Sequence, residues 1–313
     1  MTKLRRPGVD GAIEPLSGVT RDGQPLSYNR APAPDLAPWI ARLYAAVVEA
    51  PADHQLNCGL FNDTSVIRIQ TRGIWTARTA DGIKTSERAA LLFGPQTHRM
   101  PVTVTGSFTS VGISLRPGTG YAFMKIKASD YLNRMVPCEE WSLPGDAALA
   151  ILDQGEPEDW LQGLEGLIRK IIEAIGGARP DPVTARFEEV AFADPTMNIA
   201  EFARECDIDQ RRLERIVHRD FGVPPKQVLR RARALDMASH LRGVADHEEA
   251  EELMLRYYDQ SHLIRDFTAL FGMSPRQFVQ TSQPILTLAL ESRQAGRLEA
   301  LERLTPGQVR PWQ

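Results

Sequence analysis

The chain's densest chemistry lies in Gln210, Arg211, Arg212, Glu214, Arg215, His218 and Arg219. These residues remain from the segment DQRRLERIVHRDFG once Leu213, Ile216 and Val217 are assigned to an apolar stripe at i, i+3, i+4 spacing. A guanidinium offers two parallel N–H donors that fit the edge of a guanine, and it can equally clamp a phosphate. A helix with such a face therefore has the means to read and hold a duplex major groove. Any solvated surface helix is also charged, so the flanking segments decide between the two meanings.

Those segments describe a helix held in place by a second one. NIAEFARECDID puts Ile199, Phe202, Ala203 and Cys206 on one stripe and then reaches a short turn. Asp207 falls where the turn demands positive φ, which Asp accepts more readily than most residues. Asp209 is placed to cap the next helix, and Phe221-Gly222 with Pro225 ends it. The pattern then returns 50 residues later: DQSHLIRDFTALFGMSPRQFV, from Asp259, aligns with DQRRLERIVHRDFGVPPKQVL, from Asp209. The second copy turns Leu263, Asp266 and Phe267 inward, with Asp266 the imperfect member of the stripe.

Residues from about 196 to 282 resemble the two-fold helix-turn-helix domain of the AraC family of bacterial transcription regulators. YYDQSHLIRDFTALFGMSPRQF resembles that family's signature, and RRLERIVHRDFGVPPKQVLRRARAL its first recognition helix and connecting helix. The resemblance implies base-edge and backbone contacts at Arg211, Glu214 and Arg215 in the first helix, and at Gln260, Ser261, His262, Ile264 and Arg265 in the second. The linker PKQVLRRARALDMASHL would hold the two helices about one DNA turn apart. Double-stranded promoter DNA and RNA polymerase are the implied partners, and an activator is implied more often than a repressor. The second unit departs from the pattern where its first helix should stand: Glu251, Glu252 and Arg256 follow the acidic run Asp246, Glu248, Glu249. Arg211, Arg212, Arg215, Arg219, Lys226, Arg230, Arg231, Arg233 and Arg242 instead make the first half basic. The expectation is therefore of unequal halves, the first recognition helix and the linker dominating DNA affinity.

Ahead of this domain the chain is strand-rich. TSVIRIQ, GIWTAR, RAALLFG, MPVTVTG and SFTSVGISL alternate or run apolar between Gly, Asp and Pro turn signals, as in a sandwich or small barrel. Roughly residues 28 to 145 resemble the cupin-like sensor domains that precede some AraC-type domains, with FGPQTHRMPVTVTGSFTSVGISLRPG the nearest part. The expected fold class is multidomain α+β: a β-rich cupin-like barrel or sandwich with flanking helices, then an all-α domain with two helix-turn-helix units. Its parts are a loosely packed arm over 1–27, the β-rich sensor over 28–155, a connecting helix and linker over 156–195, the DNA-binding domain over 196–282 and a helical extension over 283–313. APAPDLAPWIARLYAAVVEA reads as a Pro-rich lead into an amphipathic helix with Leu36, Ile40, Leu43, Tyr44 and Val47 on its face. Leu161, Leu164, Ile168, Ile171 and Ile172 form the face of the connecting helix, and ARPDPVTARFEEVAFADPTM reads as a link. If the barrel encloses a ligand, Arg68, Trp75, His98 and Phe108 are the residues expected to meet it. In the extension, Leu286, Leu290, Leu298, Leu301 and Leu304 are placed to pack back onto the DNA-binding domain.

Composition narrows the function classes. With 313 residues and a net charge of -3, the chain is a two-domain soluble protein with a local basic face, and no nucleic-acid coat. No apolar run reaches membrane-spanning length and MTKLRRPGVDGAIEPL lacks a signal-peptide core, so a cytoplasmic protein without membrane contact is expected. Cys58, Cys138 and Cys206 are too scattered for a disulfide framework or a zinc site. His54 and His98 stand in separate segments without the paired ligands of a catalytic cupin, and no nucleophile elbow or phosphate loop occurs. No metal, no cofactor and no enzyme activity are therefore expected. A small-molecule effector and a homodimer remain open partners. The competing class is a protein-interaction co-regulator with an AraC-like fold and weak DNA affinity of its own.

Overall fold

The computed structural model describes residues 6–246 and 260–313; for Gln260 and Ser261 only the backbone is described. Strands run in the order β1 (Glu14–Pro15), β2 (Tyr28–Arg30), β3 (Ile40–Glu49), β4 (Gln55–Leu60), β5 (Val66–Thr79), β6 (Gly82–Ser86), β7 (Ala89–Phe93), β8 (Met100–Leu115) and β9 (Met135–Pro137). All belong to one antiparallel sheet whose main path is β1-β3-β8-β5-β7-β9. Two long strands serve both halves of it. The start of β8 pairs with β4, from Leu60↔Met100 to Gln55↔Thr105, and its end pairs with β3, from Val48↔Phe108 to Ile40↔Leu115. The start of β5 pairs with β7 and its end with β6.

The segments TSVIRIQ and GIWTAR are thus one strand, as are MPVTVTG and SFTSVGISL. Gly73 (φ 83°) and Gly106 (φ 75°), which look like turn signals, instead sit where β5 and β8 shift register and bend. A second correction concerns 31–50: Ile40–Glu49 is an interior strand of the sheet, flanked by β1 and β2 on one side and β8 on the other, not an amphipathic helix. Its residues are buried on both faces, and a continuous apolar run of this kind carries no period that separates strand from helix.

The helices are α1 (Thr119–Met124), α2 (Gly145–Ile151), α3 (Pro157–Ala174), α4 (Pro182–Ala193), α5 (Ile199–Glu205), α6 (Gln210–Phe221), α7 (Pro225–Leu241), α8 (Gln260–Phe271), α9 (Pro275–Gln280) and α10 (Pro284–Ala300). α3 starts from a capping box of Glu156 and Asp159 and lays Leu161, Leu164, Ile168 and Ile172 on one core with Ile67, Ile69, Val111 and Ile113. The stretch expected to be a plain link contains α4, capped by Asp181 with Pro182 at its first position. Phe187 of α4 is fully buried in the core of the first helix-turn-helix unit.

The opposite core is shared between domains: Leu56, Trp75, Val102 and Phe108 from the sheet and Phe61 just after β4 join Leu235, Phe267, Phe271, Phe278, Leu286 and Leu298 from α7 to α10. The C-terminal extension therefore packs inward, Leu286, Leu290, Leu298 and Leu304 all being buried. The arm is also not loose over its described part. β1 pairs with β3, Gly8 N–H bonds Val279 O at 2.7 Å, and Gln24 and Leu26 are buried. Its short β-bridges and side-chain bonds leave no periodic trace in so Gly- and Pro-rich a segment.

Candidate DNA-binding face and interdomain cavity

α6 is fixed at both ends and along one side. Asp209 Oδ1 accepts the Arg212 N–H at 2.7 Å, and Gly222 closes the helix at φ 79°. The turn before it holds Asp207 at φ 52°, the conformation its position requires. Leu213 and Val217 are fully buried beside Phe187, which meets Phe202 and Phe221 edge to face at 5.3 and 5.4 Å. Apart from Arg219 and the buried Asp220, the charged side chains of the helix are thereby turned outward. Gln210, Arg211, Arg212, Glu214, Arg215 and His218 are exposed, and Gln210 Nε2 donates to Glu214 Oε1 at 3.2 Å. Arg211, Glu214, Arg215 and His218 face an open cleft whose far wall is Tyr121 and Lys127 of the sensor.

Arg219 has another role. It is half-buried, bonds Asp220 through Nε and Nη2 at 2.6 Å each, reaches Asp181 at 3.4 Å, and lies 4.3 Å over the Tyr121 ring. Hydrogen bonding to Asp220 holds its charge, which is spent on joining α6 to α1 and α4.

In the second unit α8 buries Leu263 and Phe267 and leaves His262, Ile264 and Arg265 exposed, with Arg265 Nη2 3.2 Å from His262 Nδ1. Phe267 stacks on Phe271 at 4.2 Å, and both meet the edge of Phe278. Asp266, the polar member of the apolar stripe, pairs with Arg230 at 2.8 Å and approaches Arg233 at 3.9 Å on the linker helix. The side chains of Gln260 and Ser261 lie outside the described residues, as do Glu248, Glu249, Glu251, Glu252 and Arg256.

The basic linker surface expected from sequence is corrected by these pairings. Arg230 and Arg233 answer Asp266. Arg231, 2% exposed, donates to Gln96 O at 2.9 Å and Asp63 O at 2.6 Å. Arg242 is fully buried, donating to Thr287 Oγ1 at 3.1 Å, Thr281 O at 3.0 Å, Gly8 O at 2.8 Å and Gln24 Oε1. Burial pushes both guanidinium groups down to about 10. The basic surface shrinks to α6 and the exposed Lys226. Helical spacing alone does not reveal which arginines of an amphipathic helix meet a second domain.

A cavity of about 330 Å³ opens where β3, β5 and the loop 61–64 face α4 and α10. Four guanidinium groups line it, from Arg42, Arg68, Arg116 and Arg293. Arg42 pairs with Glu299 at 2.6 Å and Arg116 with Glu188 at 2.8 Å; Arg293 bridges Asp63 at 2.9 Å and Asp236 at 2.7 Å. Arg68 lies over the rings of Tyr44 and Phe93 at 5.3 and 5.5 Å, and its Nη2 reaches Asn62 Oδ1 at 3.5 Å. Both Tyr44 and Arg68 sit opposite Gly112 of β8, where a Cβ would come within 2.0 Å of the Tyr44 ring. Trp75 and Phe108 pack against each other edge to face at 5.2 Å in the shared core, and His98 is exposed beside Thr97, so of the four proposed ligand residues the cavity gathers Arg68 alone. Asn62, Asp63 and Arg293 carried no sequence signal. An Arg within the apolar strand VIRIQ was the one available clue.

Residues 202–281 match the family described as a helix-turn-helix domain, across both units and the linker helix, and residues 28–137 match a domain of unknown function, DUF6597. The chain carries an AraC-type helix-turn-helix domain. It is a DNA-binding transcription regulator with a β-rich N-terminal domain, as the duplicated helical units indicate. No curated protein matches this chain. Among solved structures, ToxT from Vibrio cholerae aligns with a TM-score of 0.45 at 9% identity, covering 76% of this chain and 96% of that one. ToxT from Vibrio cholerae O395 gives 0.43 at 9% identity, with coverage of 86% and 98%. The AraC-like transcriptional activator CuxR gives 0.22 at 13% identity, with coverage of 67% and 86%. Among the described residues of this regulator no His, Cys, Asp or Glu cluster is gathered for a metal ion, and no helix is long and apolar enough to cross a membrane.

Proposed function

We propose that this AraC-family protein is a sequence-specific activator whose grip on promoter DNA is set by a small molecule in the interdomain cavity. The observation that carries the reading is the loop 61–64. Phe61 meets Phe271 of the second helix-turn-helix unit edge to face at 5.2 Å, Asn62 faces Arg68 in the cavity, and Asp63 holds Arg293 and, through its carbonyl, Arg231 of the linker. A change in the cavity wall thus reaches both the linker and the second unit through three consecutive residues. An effector controls DNA binding if its affinity differs between the two arrangements of that loop. DNA recognition itself falls to Gln210, Arg211, Arg212, Glu214, Arg215 and His218 of α6, with His262, Ile264 and Arg265 of α8 in the lesser part.

The test is anisotropy on labelled DNA from the chain's own upstream region, comparing wild type with Asp63→Ala, a site outside the cleft that the exposed face of α6 lines. The reading expects the variant's affinity to change at least tenfold while its circular dichroism spectrum is kept. Unchanged affinity opposes it. A second reading rests on Ile264, 45% exposed between His262 and Arg265. An apolar residue at that place suits a protein surface, and RNA polymerase is the proposed partner of the second unit.

A further inference from the structure

Of the four guanidinium groups lining the interdomain cavity, three are matched by carboxylates and Arg68 is not. Arg68 is 3% exposed, its Nε has no hydrogen-bond partner among the described residues, and its contact with Asn62 Oδ1 is long at 3.5 Å. The Nδ2 of Asn62 is likewise buried without a partner. Burial pushes the Arg68 pKa down, yet a guanidinium remains charged at neutral pH. A buried charge lacking a counter-ion destabilises the fold, so a structure that retains one beside a cavity has a place prepared for an anion.

We propose that the cavity binds an organic monocarboxylate, its head paired with the Arg68 fork and its apolar body lying along Tyr44, Phe61, Phe192 and Leu290. The proposal rests on the cavity being the effector site and names the class of effector. A planar carboxylate matches the two parallel N–H donors of a guanidinium. The cavity, at about 330 Å³, lies at the small end of ligand pockets, which begin near ~300 Å³. Asp63, Glu188 and Glu189 share its wall, so a second negative charge on the ligand meets carboxylates. One charge is therefore favoured over two. The carboxylate replaces Asn62 Oδ1 at Arg68 and frees Asn62, whose neighbour Asp63 holds the linker.

The test uses the full chain and three matched probes: 3-phenylpropanoate, its alcohol 3-phenyl-1-propanol and the dianion benzylsuccinate. Isothermal titration and thermal shift are expected to show saturable binding of 3-phenylpropanoate, at least tenfold tighter than either comparator. Arg68→Met should erase the preference for carboxylate over alcohol, and Arg68→Lys should keep it in weaker form. Without ligand, Arg68→Met should melt no lower than wild type, because the charge it removes had no counter-ion. Equal binding of acid and alcohol, tighter binding of the dianion, a preference surviving in Arg68→Met, or no saturable response at millimolar probe overturns the proposal. Carboxylate binding at Arg68 that leaves DNA affinity unchanged supports the anion site and removes the regulatory reading on which its role as effector rests.

Discussion

The Asp63 carboxylate stands 2.9 Å from Arg293 Nε, joining a loop of the sheet to the helix that follows the DNA-binding domain. The same residue's carbonyl accepts from Arg231, and Arg293 continues to Asp236 of the linker at 2.7 Å. The junction between sensor and DNA-binding domain is thus a chain of charges bedded in a shared apolar core.

This chain has a pH signature. Burial works against the Asp63 charge, but Arg293 and Arg231 outweigh it and hold the carboxyl below the usual carboxylate range. A carboxyl depressed in the folded state contributes stability above its unfolded pKa, about 3.9, and loses that contribution as pH falls through the folded value. The melting temperature of wild type is expected to drop more steeply below about pH 4 than that of Asp63→Asn. Parallel acid limbs in differential scanning calorimetry speak against the pairing.

The linker arginines should behave as internal groups. Arg231→Met leaves the carbonyls of Gln96 and Asp63 without a donor, at a cost of about 1–3 kcal/mol for each unsatisfied group. Chemical denaturation should show this loss, while the salt dependence of DNA binding keeps its slope. A reduced slope returns Arg231 to the phosphate surface.

The two recognition helices should differ. Arg215→Glu is expected to abolish operator binding and Arg265→Glu to weaken it less, since α6 presents four exposed cationic or imidazole groups, Arg211, Arg212, Arg215 and His218, with Lys226 nearby. Equal losses by anisotropy contradict the asymmetry.

Truncation after Gln283 removes Leu286, Leu288, Leu290 and Leu298, each at most 5% exposed, from the core shared by both domains. At about 1.5–3 kcal/mol per buried side chain, this is comparable to the whole stability of an ordinary domain. Aggregation on expression is the expected result. A soluble truncated chain that differs only in oligomeric state contradicts the packing role.

The sequence made the first helix-turn-helix unit legible because each of its jobs falls on a distinct residue type. Asp209 caps, Leu213 and Val217 bury, Gly222 stops, and Asp207 takes positive φ. Where one residue type serves two roles, reading failed. Gly73 and Gly106 bend long strands where they looked like turns, and Ile40–Glu49, buried on both faces, is apolar enough to fit a helix stripe as well as a strand. Arg231 and Arg242 look like DNA ligands because periodicity reports a face but not what covers it. Asp266 spoils its own apolar stripe and makes sense only with Arg230 2.8 Å away on another helix. The cavity was out of reach for the same reason: Arg68 is visible as an oddity in a strand, but Asn62, Asp63 and Arg293 join it only through tertiary folding.

The salt dependence of operator binding tests the central claim most directly. Log Kobs against log[salt] on the chain's own upstream DNA is expected to fall steeply for wild type. Arg211→Gln and Arg215→Gln should each flatten it, by up to ~0.9 for every phosphate that is no longer neutralised, or relax the base preference. A wild-type slope near zero, or two variants that keep both the slope and the sequence preference of wild type, contradicts the assignment of α6 as the DNA-reading helix.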